Sequence, residues 1–97
     1  MFKHFLIMVL PILTLIYDRK GHATSKRPSV VELRISAGRV RKYISTGVKV
    51  YPKEWKEGSV IGRKDWKELN DQLQLVKRKC SEIVTRMMEE GSLDLNA

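Results

Sequence analysis

Residues 29–46 hold two runs in which apolar and polar side chains alternate, and the short break between them constrains the fold more than anything else in the chain. In residues 29–36 (SVVELRIS), Val31, Leu33 and Ile35 point one way, and Glu32, Arg34 and Ser36 the other. A period of two marks an antiparallel strand with one buried face. Ala37-Gly38 supplies a tight turn with a glycine available for positive φ. Residues 39–46 (RVRKYIST) alternate again: Val40, Lys42, Ile44 and Thr46 share one side, and Arg39, Arg41, Tyr43 and Ser45 the other. Gly47 then interrupts the strand, and Val48-Lys49-Val50 extends it past a kink or bulge. A hairpin of this kind is barely stable alone and needs a cover for its apolar face.

The cover lies downstream. From Trp66 the apolar residues Trp66, Leu69, Leu73, Val76, Cys80, Ile83 and Met87 follow in steps of three and four, which is one stripe of an amphipathic helix. Asp65 is the expected N-cap, with Glu68 three residues on as an aspartate version of the capping box, and Gly91 is the expected stop. At about 1.5 Å per residue a helix of this length spans roughly 37 Å, more than the width of a three-stranded sheet, so its far end projects beyond it. Leu75, Val84 and Met88 widen the stripe and offer a second contact. Upstream, residues 12–17 form a short apolar strand after Pro11, and residues 18–28 (DRKGHATSKRP) a long polar hairpin loop. Pro52-Lys53-Glu54-Trp55 suits one helical turn with proline at its first position, and residues 58–64 are a connector. The expected fold is α+β, a three-stranded antiparallel sheet packed against a long C-terminal helix, with Trp55 and Trp66 as core anchors.

The chain has 97 residues, enough for one domain, and a net charge of +8. That charge is unevenly placed. Residues 18–64 carry thirteen Lys or Arg against four acids, a net of +9, whereas residues 65–90 carry five against six. The polyanion such an excess calls for, nucleic acid or an anionic membrane surface, therefore meets the strands and their loops. Since one helix covers one face, Arg34, Arg39, Arg41 and Tyr43 lie on the open side, where a two-stranded ribbon can enter a major groove. Loop residues Arg19, Lys20, Lys26 and Arg27, together with Lys42 and Lys49, stand where they can reach phosphates. The plain alternative is a solvated face on which Arg34 and Arg41 pair with Glu32 across the strands.

Other chemistries find little support. A single cysteine, Cys80, allows no internal disulfide and sits on the apolar stripe as a small hydrophobe rather than a reactive thiol. His4 and His22 lack metal-ligand spacing. No nucleophile–base arrangement is visible, and the glycines at 58 and 62 before Arg63-Lys64 are too short a set for a phosphate loop. The chain is expected to be no enzyme by itself and to use neither cofactor nor metal. Residues 1–17 (MFKHFLIMVLPILTLIY) have the outline of a signal peptide, but Pro11 splits the apolar run, no small-residue cleavage site follows, and the run falls short of the roughly 20 residues of a membrane span. Residues 1–11 are read as an apolar leader upstream of the domain, with Met8 a possible natural start.

The run RVRKYISTGVKVYPKEW, residues 39–55, resembles the N-terminal arm-type DNA-binding domain of bacterial tyrosine recombinases, the integrases of phages and conjugative transposons. The resemblance rests on Tyr43-x-Ser45-Thr46-Gly47-Val48, the alternating Val50, Pro52-x-Glu54-Trp55, the connector glycine Gly62 and Asn70 early in the helix, and it extends over residues 12–92. It implies a three-stranded sheet on a helix that binds double-stranded DNA at arm-type sites during integration and excision. It also implies a parent integrase, with residues 93–97 leading to a core-binding domain and a catalytic domain that carries the nucleophilic tyrosine. The partners implied are double-stranded DNA, the other domains of the parent integrase and other integrase protomers, in the bacterial cytoplasm on the nucleoid and away from membranes. The apolar leader departs from the family pattern. Two other functions compete: a protein-interaction module docking through the helix stripe, and a small secreted or membrane-associated basic protein.

Overall fold

The computed structural model describes residues 11–90. Three strands, β1 (Ile12–Tyr17), β2 (Ser29–Ala37) and β3 (Val40–Val50), form an antiparallel sheet in the order β1-β2-β3. A 3-10 turn (Pro52–Glu54) leads into a small hairpin of β4 (Trp55–Lys56) and β5 (Ser59–Val60), and one long helix, α1 (Trp66–Glu89), completes the α+β arrangement. The apolar leader ahead of Pro11 and the expected stop at Gly91 lie outside the described residues.

Alternation decides which side of the sheet α1 covers. Tyr17 pairs with Val31, Leu15 with Leu33 and Leu13 with Ile35, so the odd positions of β1 and β2 share the inner face. Val31 and Leu33 are fully buried there and Ile35 nearly so. The core closes with Val48 and Val50 of β3, Val60 of β5 and Leu73 of α1, and Leu15, Tyr17, Trp55 and Leu69 pack around it. Trp55 is thus the anchor expected of it, its ring stacked 5.6 Å from that of Tyr17. The Tyr17 hydroxyl donates to the Val50 carbonyl at 2.7 Å. Burial, with Asp18 and Glu54 nearby, raises the pKa of this phenol.

The interruption at Gly47 is a wide bulge. Pairing jumps from Val30↔Lys49 to Glu32↔Ser45, so Thr46, Gly47 and Val48 together face Val31. Gly47 takes φ +81, a conformation natural to glycine. The ladder bonds lost at the bulge are replaced from the Thr46 side chain: its Oγ1 donates to the Val31 carbonyl at 2.6 Å and accepts the Val48 N–H at 3.2 Å. Gln72 of α1 donates to the Thr46 carbonyl at 3.2 Å, tying the bulge to the helix.

Two expectations about the return path need correction. The connector begins as a hairpin: Trp55 pairs with Val60 and Lys56 with Ser59, across Glu57 and Gly58 with φ +51 and +81. Two successive positive φ values make the tight turn whose twist suits a two-residue loop. Asn70 then completes this ribbon from the helix. Its Oδ1 accepts the Val60 N–H at 2.8 Å and its Nδ2 donates to the Val60 carbonyl at 3.0 Å, as a third strand would. The second correction concerns Asp65. It stands at the N-cap, but its side chain makes no capping bond. The carboxylate instead accepts from Arg63 Nε and Nη2 at 2.8 and 3.1 Å, because a guanidinium two residues away offers a charged fork where a backbone N–H offers one neutral donor. That bond lowers the Asp65 pKa. Arg63 Nη1 reaches Glu54 and the Lys49 carbonyl, both at 3.4 Å, and so links the helix start to the 3-10 turn and the end of β3.

The face of α1 that meets the core also differs from the stripe read in steps of three and four. Leu73 and Val84 are buried, whereas Trp66 is 50% and Ile83 49% exposed. Leu73 and Val84 are eleven residues apart, three turns at 3.67 residues per turn, close to the true helical period. A strict seven-residue repeat turns about 20° per heptad on a straight helix, and by the last turns it has moved off the sheet. Trp66, at the very first position of α1, is a half-exposed residue that borders a shallow pocket with Ile61 and Gly62 and is not a core anchor. Cys80 is half-buried. No helix among the described residues is long and apolar enough to cross a membrane.

Candidate nucleic-acid interface

The face of the sheet away from α1 carries Thr14 and Ile16 of β1, Val30, Glu32, Arg34 and Ser36 of β2, and Arg41, Tyr43, Ser45 and Lys49 of β3. Among the described residues no other element lies over these strands apart from the loop that joins β1 to β2. Arg34 occupies the middle strand between Thr14 and Tyr43. Its Nε is buried yet has no hydrogen-bond partner among the described residues. Leaving a buried donor unpaired costs about 1–3 kcal/mol, more for a charged group, so Arg34 carries an unsatisfied donor at this position. Arg41 lies opposite Ser36 and is exposed.

The other sequence-predicted residues divide into four groups. Arg39 sits with Gly38 in the two-residue turn between β2 and β3 rather than on the strand, and it is exposed. Lys42 lies opposite Ile35, which puts it on the helix side of the sheet, away from Arg34 and Arg41. Arg19, Lys20, Arg27 and Lys49 converge instead: with His22, Ser29, Val30 and Glu32 they line a concavity of about 230 Å³ at the edge of the open face. Lys26 stays exposed at the tip of the loop, where Thr24 and Arg27 exchange backbone bonds at 2.9 and 3.1 Å. The loop is pinned at its start by Asp18, at φ +51, whose carboxylate accepts the His22 and Ala23 N–H groups. Burial works to raise the Asp18 pKa, but these donors and the Ser29 hydroxyl outweigh it and hold it low.

Glu32 does not pair with Arg34 or Arg41. Its partner is Arg19, with Nε to Oε1 at 2.9 Å and Nη2 to Oε2 at 3.2 Å. The same guanidinium lies 4.0 Å from the centre of the Tyr43 ring. Arg19 therefore reaches from beyond β1 across β2 to β3. The carboxylate is what raises the Arg19 pKa. Glu32 faces Ile16 in the β1–β2 register, three residues short of Arg19, so the pairing follows from the register and from nothing in the spacing alone. Among the described residues no group of three or more His, Cys, Asp or Glu is placed to hold a metal ion.

A basic, one-sided sheet backed by a single helix defines a nucleic-acid-binding module. Residues 17–97 match the arm DNA-binding domain family, and the chain belongs to that family, whose domain is found at the N-termini of tyrosine recombinases and integrases. It is thus a DNA-binding module and not a catalytic one. The matched span begins at the last residue of β1, so the rest of that strand precedes it. No curated protein and no solved structure matches the chain significantly.

Proposed function

We propose that residues 12–92 bind double-stranded DNA in a sequence-specific way at arm-type sites, as the N-terminal module of a site-specific tyrosine recombinase. The open face of the sheet enters the major groove, and residues 93–97 lead toward the core-binding domain of the parent integrase. The observation that carries this reading is the position of Arg34, on the middle strand of the basic face opposite α1. Arg41 and Tyr43 flank it on β3. An arginine in that position can bond the O6 and N7 acceptors of guanine. The lysines and arginines at the edge, Lys20, Lys26, Arg27 and Lys49, meet phosphates, and Arg39 in the hairpin turn does the same. Lys42, on the helix side, is the member of the set whose contact depends on the DNA reaching round the hairpin end. Joining of DNA strands belongs to the parent protein, with its catalytic tyrosine, and the setting is the bacterial cytoplasm.

The test compares a duplex selected from a random-sequence pool with a scrambled duplex at fixed salt. Arg34→Ala and Arg41→Ala should each relax preference at particular base pairs by about 1–3 kcal/mol. Lys26→Ala and Lys49→Ala should weaken both duplexes alike, since phosphates carry no sequence information. With roughly four to six phosphates engaged, log K should fall against log salt with a slope of about −4 to −5. Equal losses on both duplexes for all four variants would reduce the sheet to an electrostatic anchor, and a salt-independent affinity would remove the DNA reading altogether.

A further inference from the structure

The open face of a sheet destined for a polyanion carries one carboxylate on its strands, Glu32, and that carboxylate is not idle. It grips Arg19 by two nearly parallel bonds, at 2.9 and 3.2 Å, while Tyr43 supports the guanidinium from below at 4.0 Å. Glu32 and Tyr43 are strand residues, fixed by the ladder; Arg19 comes from the loop. Two side chains anchored on the strands therefore hold one that comes from a loop. Resting on the reading of the open face given above, we propose that Arg19, Glu32 and Tyr43 form a prebuilt guanine reader, in which Arg19 makes the base contact and Glu32 and Tyr43 position it.

The chemistry of the guanidinium supports base reading over phosphate contact. Arginine has five N–H donors in a planar fork. Glu32 engages the Nε and one Nη2 proton, on one edge. Among the described residues nothing bonds to the end of the fork, both Nη1 protons and the second Nη2 proton, and it presents two adjacent donors of the spacing that the O6 and N7 acceptors of guanine require. A phosphate needs no such alignment and accepts any cation. Glu32 also repels the backbone of every duplex equally, and its side chain is only 14% exposed. Its net effect is to weaken binding to DNA in general while fixing the one arginine that can recover the loss at the right base. Discrimination is a difference between two affinities, and a group that lowers the wrong one serves it as well as a group that raises the right one.

The experiment uses the full chain and a duplex selected from a random-sequence pool, against its scrambled counterpart at fixed salt, for the unmodified protein, Glu32→Gln and Arg19→Lys. Glu32→Gln should bind the scrambled duplex as tightly as before or tighter, and the selected duplex more weakly by about 5- to 150-fold, the range of one good base contact. Arg19→Lys keeps the charge but loses the fork, so it should leave the scrambled duplex unchanged and lose the same factor on the selected one. Replacing guanines of the selected duplex one at a time by 7-deazaguanine, which lacks the N7 acceptor, should weaken the unmodified protein at one position where neither variant loses anything further. A merely structural clasp would not produce that position-specific loss. The proposal is overturned if both variants weaken the two duplexes by one common factor, or if they discriminate as well as the unmodified protein. If the unmodified protein itself prefers no duplex, the DNA-reading assignment fails first and the reader with it.

Discussion

Asn70 offers the sharpest test of how the helix and the small hairpin are joined. Its amide satisfies both backbone groups of Val60, at 2.8 and 3.0 Å, and Val60 is 1% exposed. Asn70→Ala removes both partners at once and leaves a buried N–H and a buried C=O. Each orphaned group costs about 1–3 kcal/mol. Because Asn70 itself is only half-buried and water can approach from its side, the sum falls at about 2–4 kcal/mol. For a domain of this size that corresponds to a fall in Tm of about 10–30 °C. Asn70→Asp separates the two bonds. A carboxylate still accepts the Val60 N–H but confronts the Val60 carbonyl with a negative charge, so at neutral pH the loss should equal or exceed that of alanine. A protonated carboxyl has one donor and one acceptor, as the amide does. Its folded-state pKa is therefore raised, and its stabilising form is present at low pH and lost as the pH rises through that value. Urea denaturation followed by circular dichroism at neutral and mildly acidic pH measures both effects. A loss below about 0.5 kcal/mol for Asn70→Ala, or an aspartate variant insensitive to pH, would show that the ribbon does not depend on this side chain.

Three further outcomes follow from the packing and the charges. Leu73→Ala should cost about 2–5 kcal/mol in the same denaturation assay, whereas Ile83→Ala should stay within about 1 kcal/mol because its side chain is half in water. Gly47→Ala should cost about 1–2 kcal/mol, since the added Cβ meets only Gln72 Nε2 at 3.8 Å and the penalty comes from φ +81; circular dichroism melting of the variant checks the size. Asp18 and Asp65 both have pKa values lowered by folding, so the stability they contribute is present at neutral pH and lost as the pH falls through their folded-state values; acid titration should show a decline that Asp18→Asn makes shallower.

What could be read from the residues alone was whatever follows a period. The alternation in residues 29–36 and 39–46 assigned Val31, Leu33 and Ile35 to the core and Arg34, Arg41 and Tyr43 to the open side before any contact was known, and the break at Gly47 announced the bulge. Contacts that depend on tertiary register were not legible. Glu32 meets Arg19 because β1 pairs where it does, and the turn at Glu57-Gly58 is hidden because a two-residue strand has no room to alternate. Asp65 lost its capping role to Arg63, a competition between local partners that a motif cannot settle. The helix stripe failed at its far end for a geometric reason: steps of three and four follow a repeat of 3.5, and over three turns the difference from the true period is enough to exchange Ile83 for Val84.

The bulge also restricts how this strand can change length. It holds two residues more than its partner, and two is the repeat of a pleated strand, so Thr46 and Val50 stay inside and Ser45 and Lys49 outside on either side of it. Inserting or deleting a single residue in the regular ladder, between Val40 and Ser45, would turn one flank of it over and exchange the open face for the core face. The bulge is therefore the place where this strand can take up a change of length, because its extra residues are outside the ladder.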